Sequence, residues 1–259
     1  MEGKIELNKK EEQKIRIWKQ CTFNIDKDYQ YVKKGRIFNA ASNLLYYIVA
    51  YPILKALTKV IYDLKIEGRE NIQEMEEGAI SISNHVLVLD CAMIGLAFGK
   101  RKIYYTTQEE SFQIPFVRKL IKLLRAIPIP KKIENKKNFI KEINELLYKN
   151  TIVHFYPEAT LIPYCENIRT FKNGAFNIAL KNNCNIIPTV FIFRAPQGIR
   201  KIFKRKKDVT LKILKPIKCE GQYDIQKIEY LKNKIKNEME KAQKNEMSED
   251  DEMEIYVNC

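Results

Sequence analysis

From residue 78 onward, short apolar runs suited to strands alternate with longer stretches whose apolar positions recur every three or four residues. The runs predict strands at 79–83, 102–106, 151–156, 186–193 and 209–214. The periodic stretches predict helices at 90–98, 114–125, 138–148, 171–182 and 224–243. In the third of these, Phe139, Ile140, Ile143, Leu146 and Leu147 share one face. Strands alternating with helices predict an α/β fold with a largely parallel central sheet flanked by helices, and a C-terminal helix. Ligands of such sheets bind beyond the carboxyl ends of the strands.

Ahead of this region the pattern changes. Residues 1–36 are polar and charged, and 44–54 is an apolar run rich in tyrosine, LLYYIVAYPIL. Eleven residues fall short of the roughly twenty needed to span a bilayer, and Pro52 is expected to kink or divide the segment. Lys55, Lys59 and Asp63 recur every four residues, so they stack on one face away from Ile53, Leu57, Val60, Ile61 and Leu64. The pattern suits two helices lying in a membrane interface, apolar side down, or a helical hairpin packed on the protein's own core. In 114–125, Arg118, Lys122 and Arg125 oppose Val117, Leu120, Ile121 and Leu124. That is a basic amphipathic helix, suited to a membrane surface, an anion or plain solvent. The organisation expected is a charged arm with membrane-associating helices (1–63), a central α/β domain (64–222), and a C-terminal helix with an acidic tail (223–259).

Charge narrows the partners. The formal net charge is +14, although no basic residue follows Lys244, where Glu246, Glu249, Asp250, Asp251, Glu252 and Glu254 form an acidic tail. The body is therefore more basic than the total, which suits membrane lipid, phosphorylated substrates or nucleic acid. A further basic stretch, 200–207, suits anionic headgroups, an acidic carrier protein or a solvated loop. No zinc-finger spacing, RRM aromatic signature or KH-type GxxG context accompanies the charge, so no nucleic acid is expected. The six cysteines are scattered, with no metal-ligand spacing, and are expected to be reduced thiols of a cytoplasmic compartment. Residues 1–19 lack the apolar core of a signal peptide.

The chemistry centres on Asn84-His85-Val86-Leu87-Val88-Leu89-Asp90, which follows the strand at 79–83. A neutral imidazole can take a proton from a hydroxyl near neutral pH, and a carboxylate on its other nitrogen fixes the tautomer. Positions five apart on a helix lie about 140° apart. His85 and Asp90 therefore meet only if His85 sits in the turn and Asp90 in the first turn of the next helix. A partly buried histidine bonded to a main-chain carbonyl is the alternative. A second cluster follows the strand at 151–156: Phe155-Tyr156-Pro157-Glu158-Ala159-Thr160, then Arg169-Thr170-Phe171-Lys172-Asn173-Gly174-Ala175-Phe176. If the strands are parallel, His85 and Glu158 face one crevice.

Together these segments resemble the glycerolipid acyltransferase family, whose best known members acylate lysophosphatidate. Asn84, His85 and Asp90 match NH-x4-D. Residues 125–131, RAIPIPK, occupy the place of a GxIPIxR segment. Residues 155–161 match FPEGTRS, 171–176 match FKxGAF, and 187–190 match a strand with a proline like IVPV. The lead-in 66–71 looks like the family's entry strand, and the resemblance covers about residues 64–220. It departs at Arg125 and Ala159, where the motifs have Gly, and at Lys131 and Leu161, where they have Arg.

The resemblance implies acyl transfer from a thioester, acyl-CoA or acyl carrier protein, to a hydroxyl of a lysophospholipid in phospholipid biosynthesis. His85 would be the general base and Asp90 its support. Glu158, Lys131, Arg169, Lys172 and Thr160 would bind substrate, Arg169 replacing the motif arginine lost at Leu161. A lipid acceptor without a phosphate monoester, or a non-catalytic membrane-binding protein of the same fold, are the alternatives. His154, within a strand, is expected to be structural. No metal or cofactor is required, and the place expected is the cytoplasmic face of a membrane, peripheral or monotopic.

Overall fold

The computed structural model describes residues 23–26, 28–203, 207–221 and 223–245. The arm through residue 22, Lys204 to Lys206 of the basic stretch, and the acidic tail lie outside them. Among the described residues, seven strands form one sheet: β1 (Lys65–Glu67), β2 (Ala79–Ser83), β3 (Ile103–Gln108), β4 (Ala126–Ile129), β5 (Ile152–Phe155), β6 (Asn185–Arg194) and β7 (Asp208–Ile213). Their order is β1-β7-β6-β2-β5-β3-β4. Every pairing is parallel except β6 with β7. All five β2 residues are buried, as a central strand covered on both faces requires.

The helices are α1 (Arg36–Tyr62), α2 (Asp90–Phe98), α3 (Pro115–Leu123), α4 (Ile133–Tyr148), α5 (Gly174–Lys181), α6 (Ile199–Phe203) and α7 (Ile225–Lys244). One core lies between the sheet and α4, α5 and α7, and includes Ile143, Phe176, Ile235 and Met239. A second lies on the other face around Met93, Ile94 and Phe98 of α2. The strands predicted from the sequence are present within a few residues. β4 was not foreseen as a strand: it is four residues long and contains Pro128. A proline is tolerated there because β4 is an edge strand.

The segment expected to form two helices divided at Pro52 is one continuous helix, α1, of 27 residues. Its middle, Leu45–Ala50, is π-helical, and Pro52 falls at the start of the following α-helical turns. The wider turn accommodates a residue that lacks an N–H without breaking the helix. At about 1.5 Å per residue α1 is roughly 40 Å long. It is long and apolar enough to cross a membrane by length and composition, and only 11% of its most apolar window is buried.

One face of α1 is tied to the α/β domain by polar contacts. Ser42 donates to the Leu123 carbonyl at 2.7 Å, Tyr47 to the Lys100 carbonyl at 3.2 Å, and the Tyr46 and Tyr105 hydroxyls are 3.3 Å apart. The hydroxyl of Tyr46 reaches so far in that a Cβ on Gly95 would clash with it. Arg125, which replaces a motif glycine, retains a left-handed φ of 67°. Its guanidinium stacks 4.6 Å over Tyr46 and donates to Asn43 at 2.8 Å, so its side chain pins α1 from a backbone position glycine would occupy with less strain. The other face of α1 exposes Ile37, Leu44, Ile48, Val49, Ile53 and Val60.

Arg118 and Lys122 of α3 are half-buried against aromatic rings. Arg118 lies over Phe23, and Lys122 over Tyr29 and Phe112, at 4.7 to 5.9 Å. Arg125 lies beyond the helix end and is buried. Burial, with Lys33 and Arg118 nearby, lowers the Lys122 pKa. Phe116 and Leu120 are exposed instead. Among the described residues, Cys91, Cys184 and Cys219 are free thiols.

Candidate active site

β2 and β5 are parallel neighbours, with Ile82 opposite Phe155. The chain leaving each strand therefore emerges at the same edge of the sheet. The β2 exit is fixed by Asn84, whose side-chain oxygen accepts from the Phe191 N–H at 2.9 Å while its amide donates to the Phe191 carbonyl at 3.2 Å. A buried amide satisfied on both sides holds the loop against β6. Val86 and Leu87 then turn inward, Val88 is exposed, and the Asp90 N–H bonds to the Leu87 carbonyl as α2 begins.

This places His85 in the turn and Asp90 at the first position of α2. The His85 Nδ1 and Asp90 Oδ2 atoms are 2.5 Å apart. Asp90 is almost wholly buried, and the positive end of the α2 dipole favours its carboxylate. The imidazole is 22% exposed, and Nε2 makes no hydrogen bond among the described residues. One ring nitrogen is thus committed to a carboxylate and the other is open.

The β5 exit completes the frame. Glu158 is fully buried, and both its oxygens accept from the protein. Oε1 accepts from the Arg169 N–H at 2.9 Å. Oε2 accepts from the His85 N–H at 3.1 Å and from Arg169 Nη2 at 2.6 Å. Arg169 Nη2 also donates to the Thr160 carbonyl and lies 3.4 Å from that of His85. Sequence reasoning paired Glu158 with an acceptor; the carboxylate's observed partners are the histidine's own backbone and the Arg169 loop. Thr160 is at the same cluster, with its side chain exposed. Lys172 donates its N–H to the Pro157 carbonyl and its side chain is exposed. Lys131 is not drawn into the cluster: its ammonium pairs with Glu110 and its N–H donates to Glu109 at 3.2 Å.

Tyr156 was overlooked. Its ring stacks on the His85 imidazole with centroids 3.9 Å apart, and its hydroxyl donates to Asp90 Oδ1 at 2.8 Å. Aligned on Pro157-Glu158, it stands where the FPEGTRS motif has phenylalanine, and that polar departure was the available signal. His154 is structural, as expected. It lies in β5 within hydrogen-bond reach of Ser81 Oγ at 3.0 Å and Ser83 Oγ at 3.3 Å. Burial, then the neighbouring His85, pushes its pKa down to about 3, so it is neutral at physiological pH.

Ala159, at the other glycine position of the motifs, has φ 67°. Its side chain is exposed, so the left-handed strain is not repaid by packing. Ala159→Gly is expected to stabilise the protein by about 0.5–1 kcal/mol, raising the midpoint of thermal unfolding by roughly 2–3 °C. A lowered midpoint would refute the strain argument.

A family model described as Acyltransferase matches residues 63–192, which contain both strand exits and Arg169. The chain is 30% identical over 129 residues to the chloroplastic 1-acyl-sn-glycerol-3-phosphate acyltransferase LPAT1 of Arabidopsis thaliana, covering 49% of this chain and 35% of that one. It is 27% identical over 161 residues to the chloroplastic 1-acyl-sn-glycerol-3-phosphate acyltransferase BAT2 of Brassica napus, covering 60% and 45%. With the 1-acyl-sn-glycerol-3-phosphate acyltransferase of Bacillus subtilis (strain 168) it shares 23% identity over 154 residues, covering 60% and 74%. The matched region thus spans less than half of the plant relatives. The fold is also that of the crystal structure of the 1-acyl-sn-glycerophosphate (LPA) acyltransferase PlsC from Thermotoga maritima: TM-score 0.58, 19% identity, covering 84% of this chain and 86% of the other. With the family model spanning the strand exits that carry His85, Asp90 and Glu158, this chain belongs to the Acyltransferase family.

Proposed function

We propose that this protein transfers a fatty acyl group from a thioester, acyl-CoA or acyl carrier protein, to a hydroxyl of a lysophospholipid such as lysophosphatidate. The observation that carries the reading is the 2.5 Å contact between His85 Nδ1 and Asp90, which leaves Nε2 without a hydrogen-bond partner among the described residues. Asp90 accepts the Nδ1–H, which leaves the lone pair on Nε2. Nε2 takes the proton of the acceptor hydroxyl as its oxygen bonds to the thioester carbon. The carbonyl electron pair moves onto oxygen. Collapse of this tetrahedral intermediate breaks the C–S bond, and the thiolate recovers the proton from the imidazolium. The thioester is already activated, so no enzyme nucleophile is needed. Main-chain N–H groups near β4 or β6 are proposed to bind the oxyanion.

The membrane supplies the acceptor. The outward face of α1 and the exposed Phe116 and Leu120 of α3 are proposed to rest in the cytoplasmic leaflet. Arg169, Thr160, Lys131 and Lys172 are proposed to bind anionic groups of acceptor or donor. A second reading is favoured by two observations: Leu161 carries no charge, and Arg169 is already paired with Glu158. In that reading the acceptor lacks a phosphate monoester.

Acyl transfer from labelled acyl-CoA and acyl carrier protein to a panel of lysolipids tests both. Turnover of lysophosphatidate that is lost in His85→Ala supports the first reading, and turnover only of acceptors without the monoester supports the second. Absence of His85-dependent transfer with any pair would overturn the enzyme reading. If Arg169 grips the phosphate, Arg169→Ala lowers kcat/KM about tenfold or more for lysophosphatidate relative to a phosphate-free acceptor. Equal losses on both would confine Arg169 to supporting Glu158.

A further inference from the structure

Tyr156 makes two contacts that a structural aromatic residue at a strand end does not need. Its ring lies nearly parallel to the His85 imidazole, at 19° and 3.9 Å. Its hydroxyl donates to the Asp90 oxygen that His85 does not use, at 2.8 Å. Asp90 is buried, so these two donors supply what water would otherwise give its carboxylate. Phenylalanine, which the motif carries here, would make the stack and leave Oδ1 without this donor.

We infer that Tyr156 is a positioning residue for the reaction: its hydroxyl holds Asp90, shares that carboxylate with His85, and so sets how strongly Asp90 stabilises the imidazolium. The inference rests on the proposed role of His85 and Asp90 and deepens it. A carboxylate that donates part of its charge to a phenol hydrogen bond attracts the imidazolium less. The phenol itself stays protonated, because burial first, then Asp90 and Cys91, hold its pKa far above the ordinary tyrosine value. The other groups facing the pair hold their charge state: the Glu158 carboxylate and Arg169 guanidinium are ion-paired on the backbone side of His85, His154 is neutral, and burial raises the pKa of the Tyr62 and Tyr105 hydroxyls, keeping them protonated.

The protein offers a direct readout, because it has only two histidines and His154 does not titrate above about pH 4. In the full-length protein labelled on histidine and held in detergent micelles, the His85 imidazole resonance is the one that disappears in His85→Ala, and it is followed as pH is varied. In Tyr156→Phe the titration midpoint should move to higher pH, since Asp90 is then shared with nothing else. The acid limb of the kcat/KM profile should move the same way, costing roughly three- to tenfold in rate below that limb with acceptor KM unchanged. Asp90→Asn is the control and should move the midpoint to lower pH.

A midpoint that shifts in Asp90→Asn and not in Tyr156→Phe would overturn the role of Tyr156 while leaving the histidine–aspartate pair intact. A midpoint that responds to neither substitution would overturn the pair itself, and this inference with it. Tyr156→Phe keeps the ring and its stack, so retained thermal unfolding behaviour would separate positioning from misfolding. A rate loss uniform across pH with no shift in the midpoint would likewise count against it.

Discussion

His85→Ala is expected to lower kcat for acyl transfer by about 10³-fold, within the range a positioned general base contributes. The acceptor KM should change by less than about threefold, because the imidazole acts on the reacting hydroxyl and the rest of the acceptor is held elsewhere. The fold should survive. The His85 side chain is partly exposed and, among the described residues, makes a single side-chain hydrogen bond, that to Asp90, while its backbone N–H to Glu158 remains in the alanine variant. Leaving Asp90 with Tyr156 as its remaining side-chain donor costs about 1–3 kcal/mol for a buried carboxylate short of a partner, a loss a domain with two packed cores can absorb. The measurement is single-turnover acylation of the preferred acceptor alongside thermal unfolding. Retention of more than a tenth of the wild-type rate would rule out His85 as the base.

The short-range part of this site was legible in the sequence. His85 and Asp90 are five residues apart, and one strand end followed by one helix start is enough to bring them together. Glu158 and Tyr156 are different. Their contacts with His85 and Asp90 span 73 and 66 residues and exist only because β5 lies beside β2. Alternating patterns announce a parallel sheet without stating which strands are neighbours. Nor could the sequence tell that both Glu158 oxygens would be spent on N–H donors. That depends on the path of the loop from Ala159 to Arg169, which folds back so that the Arg169 backbone meets the carboxylate.

The fold was legible where a stripe or run was long and missed where it was short or interrupted. β1, three residues with charged ends, was indicated only by the resemblance at 66–71, and β4 carries a proline. The apolar pattern predicts α4 only from residue 138, whereas the helix starts at Ile133, because its first turns are polar and Ile133 itself is exposed. The buried residue there is Asn135, whose amide donates to the Ile25 carbonyl at 2.7 Å, a contact no periodicity reveals. Pro52 predicts a divided segment, because a proline usually ends a helix, yet α1 is continuous. The π-helical turn ahead of it is what keeps it whole. On α3 the amphipathic pattern was legible but its partners were not: Phe23, Tyr29 and Phe112 lie against the half-buried Arg118 and Lys122, while Phe116 and Leu120 are exposed.

Glu158→Gln is expected to be the most destabilising conservative change in the site, costing about 3 kcal/mol. Three N–H groups converge on the carboxylate: the His85 and Arg169 backbones and Arg169 Nη2. An amide offers one acceptor and one NH₂ group, so in either orientation a donor confronts a donor inside a fully buried pocket. The cheaper orientation sets the NH₂ against the Arg169 N–H, so the strain falls on the Arg169 loop and, through the shared side chain, on the backbone of His85. The rate should therefore drop by roughly 10²-fold even in the folded fraction, since small misplacements of a base are costly. Arg169→Ala should also destabilise, by leaving the Glu158 charge buried with only backbone partners. The double variant Glu158→Gln/Arg169→Ala should lose less than the sum of the two, with a coupling of at least about 1 kcal/mol by chemical denaturation. Strict additivity would mean that the 2.6 Å ion pair does not act as a unit. Glu158 would then have to be sought in contacts with the acceptor, as the sequence first suggested.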